Sequence, residues 1–304
     1  MRGFVALTDH SWYRYLQARP HLDEVNFWRP KPDAFGAIRH GEPFFFKLKA
    51  PRHVVCGFGQ FARFERLPLW MAWDVFGEAN GAATVDEFKR LIAALSPTPS
   101  EVDLDTQVGC ISIAFPTFFA PDEWVVQPAD WPRSTMRGRV YDLDTGPGRR
   151  LWDECVSRAA AVTAESWLDE GDRYGPPRVV RARLGQGSFR LAVLDAYDRA
   201  CAVTTEHSLP VLEAAHIKPY SDGGSHEVRN GLPLRRDLHR LFDLGFVTVK
   251  PDRRFTVSAH LREDWANGRT YYQLDGQTIV EPRDPVARPD PELLEWHGDT
   301  VFRG

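Results

Sequence analysis

The chain has 304 residues, of which 43% are hydrophobic and 26% are charged. This balance excludes disordered and fibrous proteins, and the length predicts two globular domains with separate cores. The net charge of −4 argues weakly against a nucleic-acid partner, because phosphate backbones attract basic surfaces. The sequence shows neither a signal peptide nor a long apolar run, so we expect a cytoplasmic protein that does not enter a membrane.

The N-terminal half is rich in aromatic side chains and short apolar runs. Sixteen of the thirty-seven Phe, Tyr and Trp residues precede position 80. The runs PFFFKLK, HVVCGF and VGCISIAF are bounded by Pro, Gly and charged residues and predict buried strands. Apolar side chains recur at helical spacing between Thr84 and Leu95, which predicts a helix there. A β-barrel or a strongly curved sheet with a few helices fits this pattern.

A second segment with helical spacing predicts a helix from about Gly148 to Leu168. The stretch DEGDRYGPP then breaks the helix and predicts a domain boundary. We therefore assign residues 1–168 to an N-terminal domain, 169–180 to a linker and 181–304 to a C-terminal domain.

Basic residues are concentrated in the C-terminal half. Positions 173–250 contain twelve Lys and Arg against eight Asp and Glu, a local excess of +4, so the remainder of the chain is acidic. A nucleic-acid surface in this segment is therefore compatible with the negative total. The tail after Glu281 is rich in Pro and charged residues, and we expect it to be loop-like.

The segment LEAAHIKPYSDGGSHEVRNGLPLRRDLHRLFDLGFVTV predicts a hairpin followed by a helix. The first strand ends near His216, a loop with two adjacent glycines follows, and a new segment starts at Asn230. An apolar stripe predicts the helix, and Gly245 stands where a C-terminal cap is expected. His239 and Asp243 are four residues apart, so both side chains project from one helix face and could bind one divalent ion. We expect His216 to face them from the strand.

The order His216, Asn230, His239, with spacings of fourteen and nine residues, resembles the HNH nuclease family and its ββα-metal fold. With AAHI, the GG loop and NGLPLRRDLHRLFD, it looks closest to the branch found in restriction endonucleases. The resemblance covers about residues 181–257. It implies that His216 is the general base and that Asn230 holds the hairpin loop by side-chain hydrogen bonds. It also implies that His239 is a metal ligand, and Asp243 stands where colicin-type members place a second one.

The resemblance further implies a divalent ion, with Mg²⁺ or Mn²⁺ expected before Zn²⁺ or Ni²⁺, and products with 5′-phosphate and 3′-hydroxyl ends. One position departs from the family pattern. Many HNH nucleases place an Asp or His metal ligand immediately before the general base, and this chain has Ala215 there. Glu213 lies on the same strand face and is a candidate to reach the ion directly or through water. Without it the ion would have two protein ligands besides water and phosphate.

Several basic residues near the motif are candidates for contacts with the DNA backbone, although each could equally be a solvated surface charge. They are Lys218, Arg235, Arg236 and Arg240, with Arg181, Arg183 and Arg190 upstream. The upstream segment also predicts a helix, with Phe189, Val193 and Tyr197 spaced four apart, which we expect to pack against the hairpin. The four cysteines form no CxxC pair, so we expect reduced, buried thiols and interpret Cys201 as a core residue.

The N-terminal strand and aromatic pattern is similar to that of PUA-like barrels, which include EVE, ASCH and SRA modules. The similarity rests on VNFWRP, GEPFFFKLK, VVCGFGQF, LPLWMAWDVFG and VGCISIAFPTFF. It implies a reader that flips a modified base into an aromatic pocket, as in modification-dependent enzymes that join such a module to an HNH domain. The pocket candidates are Trp28, Phe58, Trp73, Asp74 and Phe119. Any of these rings could instead fill the barrel.

Together these features predict an α+β protein with an N-terminal PUA-like β-barrel with helices and a C-terminal ββα-metal domain. The leading hypothesis is a metal-dependent DNA endonuclease of restriction type that acts on double-stranded, modified DNA. A nucleic-acid reader with a non-cleaving HNH domain is the alternative suggested by Ala215. A colicin-type toxin is a third hypothesis, disfavoured because no export signal is recognisable. Cutting of both strands by one HNH centre would favour a homodimer.

Overall fold

The computed structural model describes residues 1–132, 134–169 and 185–304, with side chains of the central helix described up to residue 160. The chain divides into two compact units, Met1–Gly185 and Gln186–Gly304. The predicted linker, apart from its first residue, and the candidates Arg181 and Arg183 lie outside the described residues. The domain limits predicted from the sequence therefore stay predictions. No helix in the described part of the chain is both long and apolar enough to cross a membrane.

The N-terminal unit is built on one mixed sheet. Its strands are β1 (Arg2–Thr8), β2 (Glu24–Arg29), β3 (Pro43–Leu48), β4 (Val54–Pro68), β5 (Gln107–Phe118), β6 (Val125–Val126) and β7 (Gly138–Asp142). They lie in the order β2-β5-β4-β3-β1-β7, and β6 pairs with β4. β1 and β3 are parallel, whereas the other pairs are antiparallel. The three runs predicted as buried strands form β3 and parts of β4 and β5.

This sheet is not the closed barrel that the sequence predicted. Among the described residues β2 pairs only with β5 and β7 only with β1, so both remain edge strands. Closure would require the two outer strands to pair with each other, and a strand pattern in sequence does not specify which strands become edges. β4 shifts register against β5 between Phe58 and Gln60 and again between Phe61 and Arg63. Such irregularities bend a strand without closing the sheet.

Both faces of β3 are covered, which explains its continuous run of apolar residues. Successive side chains of a strand point to opposite faces. Phe44 and Phe46 belong to one core cluster with Trp12, and Phe45 belongs to a second cluster with Phe119. The concentration of aromatic residues in this half therefore builds two cores, one on each face of the sheet.

The helices of this unit are α1 (His10–Gln17), α2 (Leu69–Phe76), α3 (Val85–Leu95) and α4 (Gly146–Asp169). The predicted helix between Thr84 and Leu95 is confirmed as α3. Thr84 is its N-cap, and the Thr84 hydroxyl oxygen accepts a hydrogen bond from the backbone N–H of Glu87 at 3.2 Å. The helix predicted from Gly148 to Leu168 is confirmed as α4, with a slightly earlier start.

The C-terminal unit contains the predicted hairpin and helix. Its elements are α5 (Gln186–Ala196), β8 (Leu212–His216), β9 (Gly231–Arg235), α6 (Arg236–Asp243), β10 (Val247–Val249), β11 (Phe255–Val257), α7 (His260–Trp265), α8 (Arg269–Tyr272) and α9 (Pro291–Thr300). The hairpin consists of β8 and β9, and the helix is α6. Gly245 follows α6 with φ of 77°, and a Cβ there would lie 2.1 Å from the carbonyl oxygen of Val301. Glycine is therefore required at this cap.

The tail after Glu281 is not wholly loop-like, because it contains α9. The side chain of Asp290 accepts a hydrogen bond from the backbone N–H of Glu292 at 3.0 Å, and Pro291 occupies the first turn, where its missing N–H has no cost. Leu294 and His297 are buried on the inner face of the helix. The composition of the tail obscured this local Asp-Pro helix start.

Candidate active site

The loop end of the β8–β9 hairpin carries the first two motif residues. His216, the last residue of β8, pairs with Gly231, the first residue of β9. A Cβ at Gly231 would lie 2.4 Å from Cγ2 of Val193 and 2.8 Å from the ring of Phe189. Both belong to α5, so the small residue at this position allows α5 to pack closely against the hairpin, as the sequence predicted.

Asn230 is fully buried and immediately precedes β9. Its Oδ1 accepts a hydrogen bond from the backbone N–H of Lys218 at 2.9 Å. Its Nδ2 donates to the carbonyl oxygens of Lys218 at 2.9 Å and Ser225 at 2.7 Å. One amide side chain thus joins both ends of the hairpin loop, and this loop follows directly after His216.

His216 is held on two sides. Its ring stacks on Phe189 with ring centroids 4.0 Å apart, and its Nε2 lies 3.1 Å from Nδ1 of His226. The other ring nitrogen, Nδ1, has no hydrogen-bond partner among the described residues and is not sealed from solvent, so water can reach it. Burial, with smaller contributions from the charges of His226 and His239, lowers the pKa of His216 to about 4. The imidazole is therefore neutral, and able to accept a proton, throughout the neutral pH range.

His239 lies on α6 between two carboxylates. Its Nδ1 is 2.8 Å from Oε2 of Glu213, and its Nε2 is 3.5 Å from Oδ1 of Asp243. Glu213 also accepts a hydrogen bond from Nε of Arg236 at 2.7 Å. In the tautomer whose Nδ1–H donates to Glu213, the Nε2 lone pair faces the oxygen of Asp243. Two acceptors in this arrangement favour a cation between them.

This donor set fits a divalent ion with two protein ligands. His239 and Asp243 supply an imidazole nitrogen and a carboxylate oxygen, a combination that suits Mn²⁺, Zn²⁺ and related ions. Glu213 orients His239 from the far side, as carboxylates often do for metal-binding histidines. Within the described ranges no group of three or more His, Cys, Asp or Glu side chains is arranged to hold a metal. Water and phosphate oxygens would therefore complete the coordination.

The two carboxylates differ in their electrostatic environment. Burial acts to raise the pKa of Glu213, but the hydrogen bonds from His239 and Arg236 outweigh it, so the pKa is lowered. Glu213 is therefore an ionised partner for His239. Burial raises the pKa of Asp243, and the nearby charges of His239 and Arg240 offset this only in part. A cation bound at Asp243 would restore the preference for its ionised form.

The four basic candidates near the motif differ in their surroundings. Arg235 makes two hydrogen bonds to the carboxylate of Asp237, at 3.0 and 2.6 Å, and Arg236 pairs with Glu213. The ammonium group of Lys218 lies 5.2 Å from the centre of the Trp296 ring. Arg240 is exposed and makes no ion pair within the part of the chain that the structure describes. Arg190, further upstream, donates to the carbonyl oxygen of Leu212 at 3.0 Å.

Sequence reasoning did not single out His226, although it contacts the proposed general base. The residue lies in the loop between Ser225 and Glu227, and its ring stacks on Tyr220 with ring centroids 5.1 Å apart. The stretch GGSHEV does show a histidine between His216 and Asn230, in addition to the two histidines of the motif. Nothing in a loop sequence states which way such a side chain turns.

Among the described residues, the candidates for a modified-base pocket do not all line the cavity described below. Phe119 is fully buried in the second core cluster, beside Phe58. Trp28 and Trp73 both contact the ring of Phe88, at centroid distances of 5.6 and 6.3 Å. Asp74, next to Trp73 on α2, does not line the cavity described below. Phe119 is thus buried in a core cluster, whereas Trp28 lines an open cavity.

That cavity, which we call the aromatic cavity, has a volume of about 270 Å³ and lies in the N-terminal unit. Its walls include Trp12, Phe27 and Trp28, and Arg29, Lys49 and Arg137 also contribute to its lining. Trp28 is fixed by a hydrogen bond from its Nε1 to the carbonyl oxygen of Asn80 at 2.8 Å. The cavity thus combines aromatic surfaces with basic groups, of which Lys49 pairs with Asp9 and Arg137 with Asp33.

Comparison with known families matches residues 201–250 to the model described as HNH endonuclease. The matched segment contains β8, β9 and α6, and hence His216, Asn230 and His239. The resemblance inferred from their spacing is thereby confirmed. No curated protein matches the chain.

Solved structures with detectable similarity include the ASCH protein from Zymomonas mobilis, which is 10% identical with a TM-score of 0.31 and covers 49% of this chain and 94% of that chain. A point variant of that protein is 6% identical with a TM-score of 0.34, covering 50% of this chain and 94% of its own. ASCH is one of the PUA-like modules named above. The modification-dependent restriction endonuclease TagI is 13% identical with a TM-score of 0.30, covering 86% of this chain and 61% of that protein. Scores at this level do not assign a function to the chain.

Proposed function

We propose that this protein is a metal-dependent DNA endonuclease of restriction type whose catalytic centre lies on the β8–β9 hairpin and α6. The observation that carries the proposal is the environment of His216. Its ring is neutral, is held by Phe189 and His226, and presents Nδ1 to water. The match of residues 201–250 to HNH endonucleases supports the same assignment.

The proposed reaction is hydrolysis of a phosphodiester. Nδ1 of His216 accepts a proton from water while the water oxygen forms a bond to phosphorus. The bond between phosphorus and the 3′ oxygen breaks, which leaves a 5′-phosphate and, after protonation by solvent, a 3′-hydroxyl. A divalent ion held by His239 and Asp243 would stabilise the charge that develops on the phosphate and the leaving oxygen. The exposed guanidinium of Arg240 is available to bind a neighbouring phosphate.

The direct test is cleavage of supercoiled plasmid by the full chain. We expect nicked or linear product with Mg²⁺ or Mn²⁺, none with excess EDTA, and recovery when the ion is restored. End-labelling of the product would identify the 5′-phosphate. Linear product without a nicked intermediate would indicate that two copies act together.

The alternative is a reader whose HNH domain binds but does not cut. Ala215 supports it, because a position that carries a metal ligand in many relatives is here a fully buried methyl group. If the protein binds DNA tightly and leaves it intact with every ion tried, the alternative replaces the nuclease proposal.

The N-terminal unit, in the same proposal, selects modified DNA with the aromatic cavity. Stacking on aromatic rings contributes about 1–3 kcal/mol per base, which offsets the few kcal/mol needed to flip a base. Trp12, Phe27 and Trp28 provide aromatic walls, and Arg29 and Arg137 provide charge for the flanking phosphates.

The cavity can be tested with the cleavage-deficient variant His216→Ala and duplexes that differ in a single modified base. We expect tighter binding of one modified duplex and loss of this preference in Trp28→Ala. Trp73→Ala is a matched control, because Trp73 contacts the same Phe88 ring but does not line the cavity. If His216→Ala with an otherwise unchanged cavity binds all duplexes equally, the reader assignment is refuted.

A further inference from the structure

His226 occupies a defined place beside the proposed general base. Its ring is parallel to that of Tyr220, with 7° between the planes, and meets the ring of His216 at 66°. Phe189 contacts both histidines, with centroid distances of 4.0 Å to His216 and 5.7 Å to His226. The edge of His226, rather than its face, is therefore directed at His216, which places the two nitrogens at 3.1 Å.

The loop that carries His226 is fixed by the side chain of Asn230. Nδ2 of Asn230 donates to the carbonyl oxygen of Ser225, the residue before His226. The same amide binds Lys218, two residues after His216. Asn230 thus links the backbones adjacent to both histidines and supports their relative position.

When both imidazoles are neutral, a hydrogen bond between them has two forms, and these have opposite consequences for catalysis. If Nε2–H of His216 donates to Nδ1 of His226, then Nδ1 of His216 keeps its lone pair. If Nδ1–H of His226 donates instead, His216 must carry its own proton on Nδ1, the nitrogen that faces water. Only the first form leaves the accessible nitrogen able to accept a proton.

We propose that His226 is a positioning residue that accepts a hydrogen bond from Nε2–H of His216 and thereby keeps Nδ1 free as the proton acceptor. The proposal rests on the nuclease function above. When Nδ1 takes the proton from water, His216 becomes an imidazolium and its Nε2–H remains on His226. The hydrogen bond is then charge-assisted, so it is stronger in the transition state than in the resting enzyme.

Three variants separate an acceptor role from a packing role. In His226→Asn the amide oxygen is attached to Cγ, as Nδ1 is, so an acceptor remains near the same place. His226→Phe keeps a ring to stack on Tyr220 but offers no acceptor. His207→Phe, at an exposed position of the same unit, controls for the introduction of an extra aromatic ring.

Plasmid cleavage under saturating DNA and Mn²⁺ is the first measurement. We expect kcat to fall at least tenfold in His226→Phe, with KM nearly unchanged, and to recover substantially in His226→Asn. His207→Phe should cleave like the unsubstituted protein. Thermal unfolding of each variant detects a loss of folding. Such a loss would lower kcat in both His226→Phe and His226→Asn, whereas loss of the acceptor lowers it mainly in His226→Phe. Unchanged kcat in a folded His226→Phe would overturn the proposal.

The tautomer of His216 provides a measurement that does not depend on cleavage. In ¹⁵N-histidine-labelled protein, with the signal assigned from its absence in His216→Gln, we expect the proton on Nε2 in the unsubstituted protein. A proton on Nδ1 would refute the role of His226 even in an active enzyme. If the protein does not cut DNA but the proton is on Nε2, the nuclease proposal fails while the hydrogen-bond assignment stands.

Discussion

The two units assemble their candidate sites from different kinds of sequence. In the C-terminal unit the proposed base, the loop-holding amide and the proposed metal ligands come from one continuous segment, residues 213–243, folded as a hairpin and a helix. In the N-terminal unit the walls of the aromatic cavity come from β1, β2, α1 and α3 and from residues near position 136. A local motif specifies spacing along one hairpin and helix, whereas a composite cavity depends on how distant elements pack.

The largest expected effect concerns the local site. His216→Ala removes the proton acceptor, and general-base catalysis contributes about 10²–10⁴-fold to rate. We therefore expect kcat to fall by about this factor while DNA affinity stays nearly unchanged, because the base acts only in the chemical step. Quantitative nicking assays measure kcat, and binding assays measure the DNA affinity. A parallel loss of affinity would mean that His216 binds DNA rather than activating water.

In the N-terminal unit we expect substitution of a buried aromatic residue to lower folding stability, in contrast to the loss of kcat expected for His216→Ala. Phe119 is fully buried, so Phe119→Ala should lower the free energy of unfolding by about 3–5 kcal/mol. Trp28→Ala, at the cavity wall, should cost clearly less stability. Urea unfolding followed by fluorescence measures both. Equal destabilisation by the two substitutions would mean that Trp28 is also primarily a core residue.

The stability of the packing against helix α6 should depend on pH. His297 is buried, stacks on Phe242 of α6 at a centroid distance of 3.7 Å, and has its pKa lowered to about 4 by burial. In the unfolded chain His297 is protonated below about pH 6.5, but in the folded chain only below about pH 4. The contribution of neutral His297 to the free energy of unfolding is therefore fully present above pH 6.5 and is lost as the pH falls from 6.5 to 4. The loss is about 3 kcal/mol.

The same residue provides its own control. Nε2–H of His297 donates to the carbonyl oxygen of Phe242, and the hydroxyl of Thr248 donates to Nδ1. His297→Gln retains a donor and an acceptor but does not titrate. Urea unfolding at several pH values should therefore show a shallower dependence between pH 6.5 and 4 in this variant. An identical dependence in both proteins would exclude His297 as the source.

A smaller effect is expected at Glu213, which contacts His239 without being placed as a ligand. Carboxylates in this position typically contribute 10–100-fold to metal affinity. Glu213→Ala should raise the Mn²⁺ concentration for half-maximal cleavage by about this factor, with kcat at saturating metal reduced less. Asp237→Ala, on the same helix but paired with Arg235, is the control. Complete loss of metal response in Glu213→Ala would indicate direct ligation.

The smallest predicted effect combines stability and activity. Asn230→Ala leaves the backbone groups of Lys218 and Ser225 without the partners described above, and we expect a loss of roughly 1–3 kcal/mol in the free energy of unfolding. Cleavage should also decrease, because the loop positions His216 and His226. Full activity in this variant would show that the hairpin holds both histidines without the amide.

The sequence by itself determined the strand ending at His216, the helix bearing His239 and Asp243, and the match to HNH endonucleases. These features depend on local periodicity and fixed spacing, which neighbouring residues along the chain encode directly. It also predicted α3 and α4 from helical spacing and the four buried cysteines from their pattern. The roles assigned to these site residues still depend on the experiments above.

The tertiary structure alone decided which side chains meet. It directs Glu213 to His239, places His226 against His216, and buries Phe119 while leaving Trp28 at an open cavity. It also leaves the sheet open, where the strand pattern predicted a barrel. Hydrogen bonds between side chains and the choice of edge strands depend on contacts between residues distant in sequence. Periodicity within a single element contains no information on such contacts.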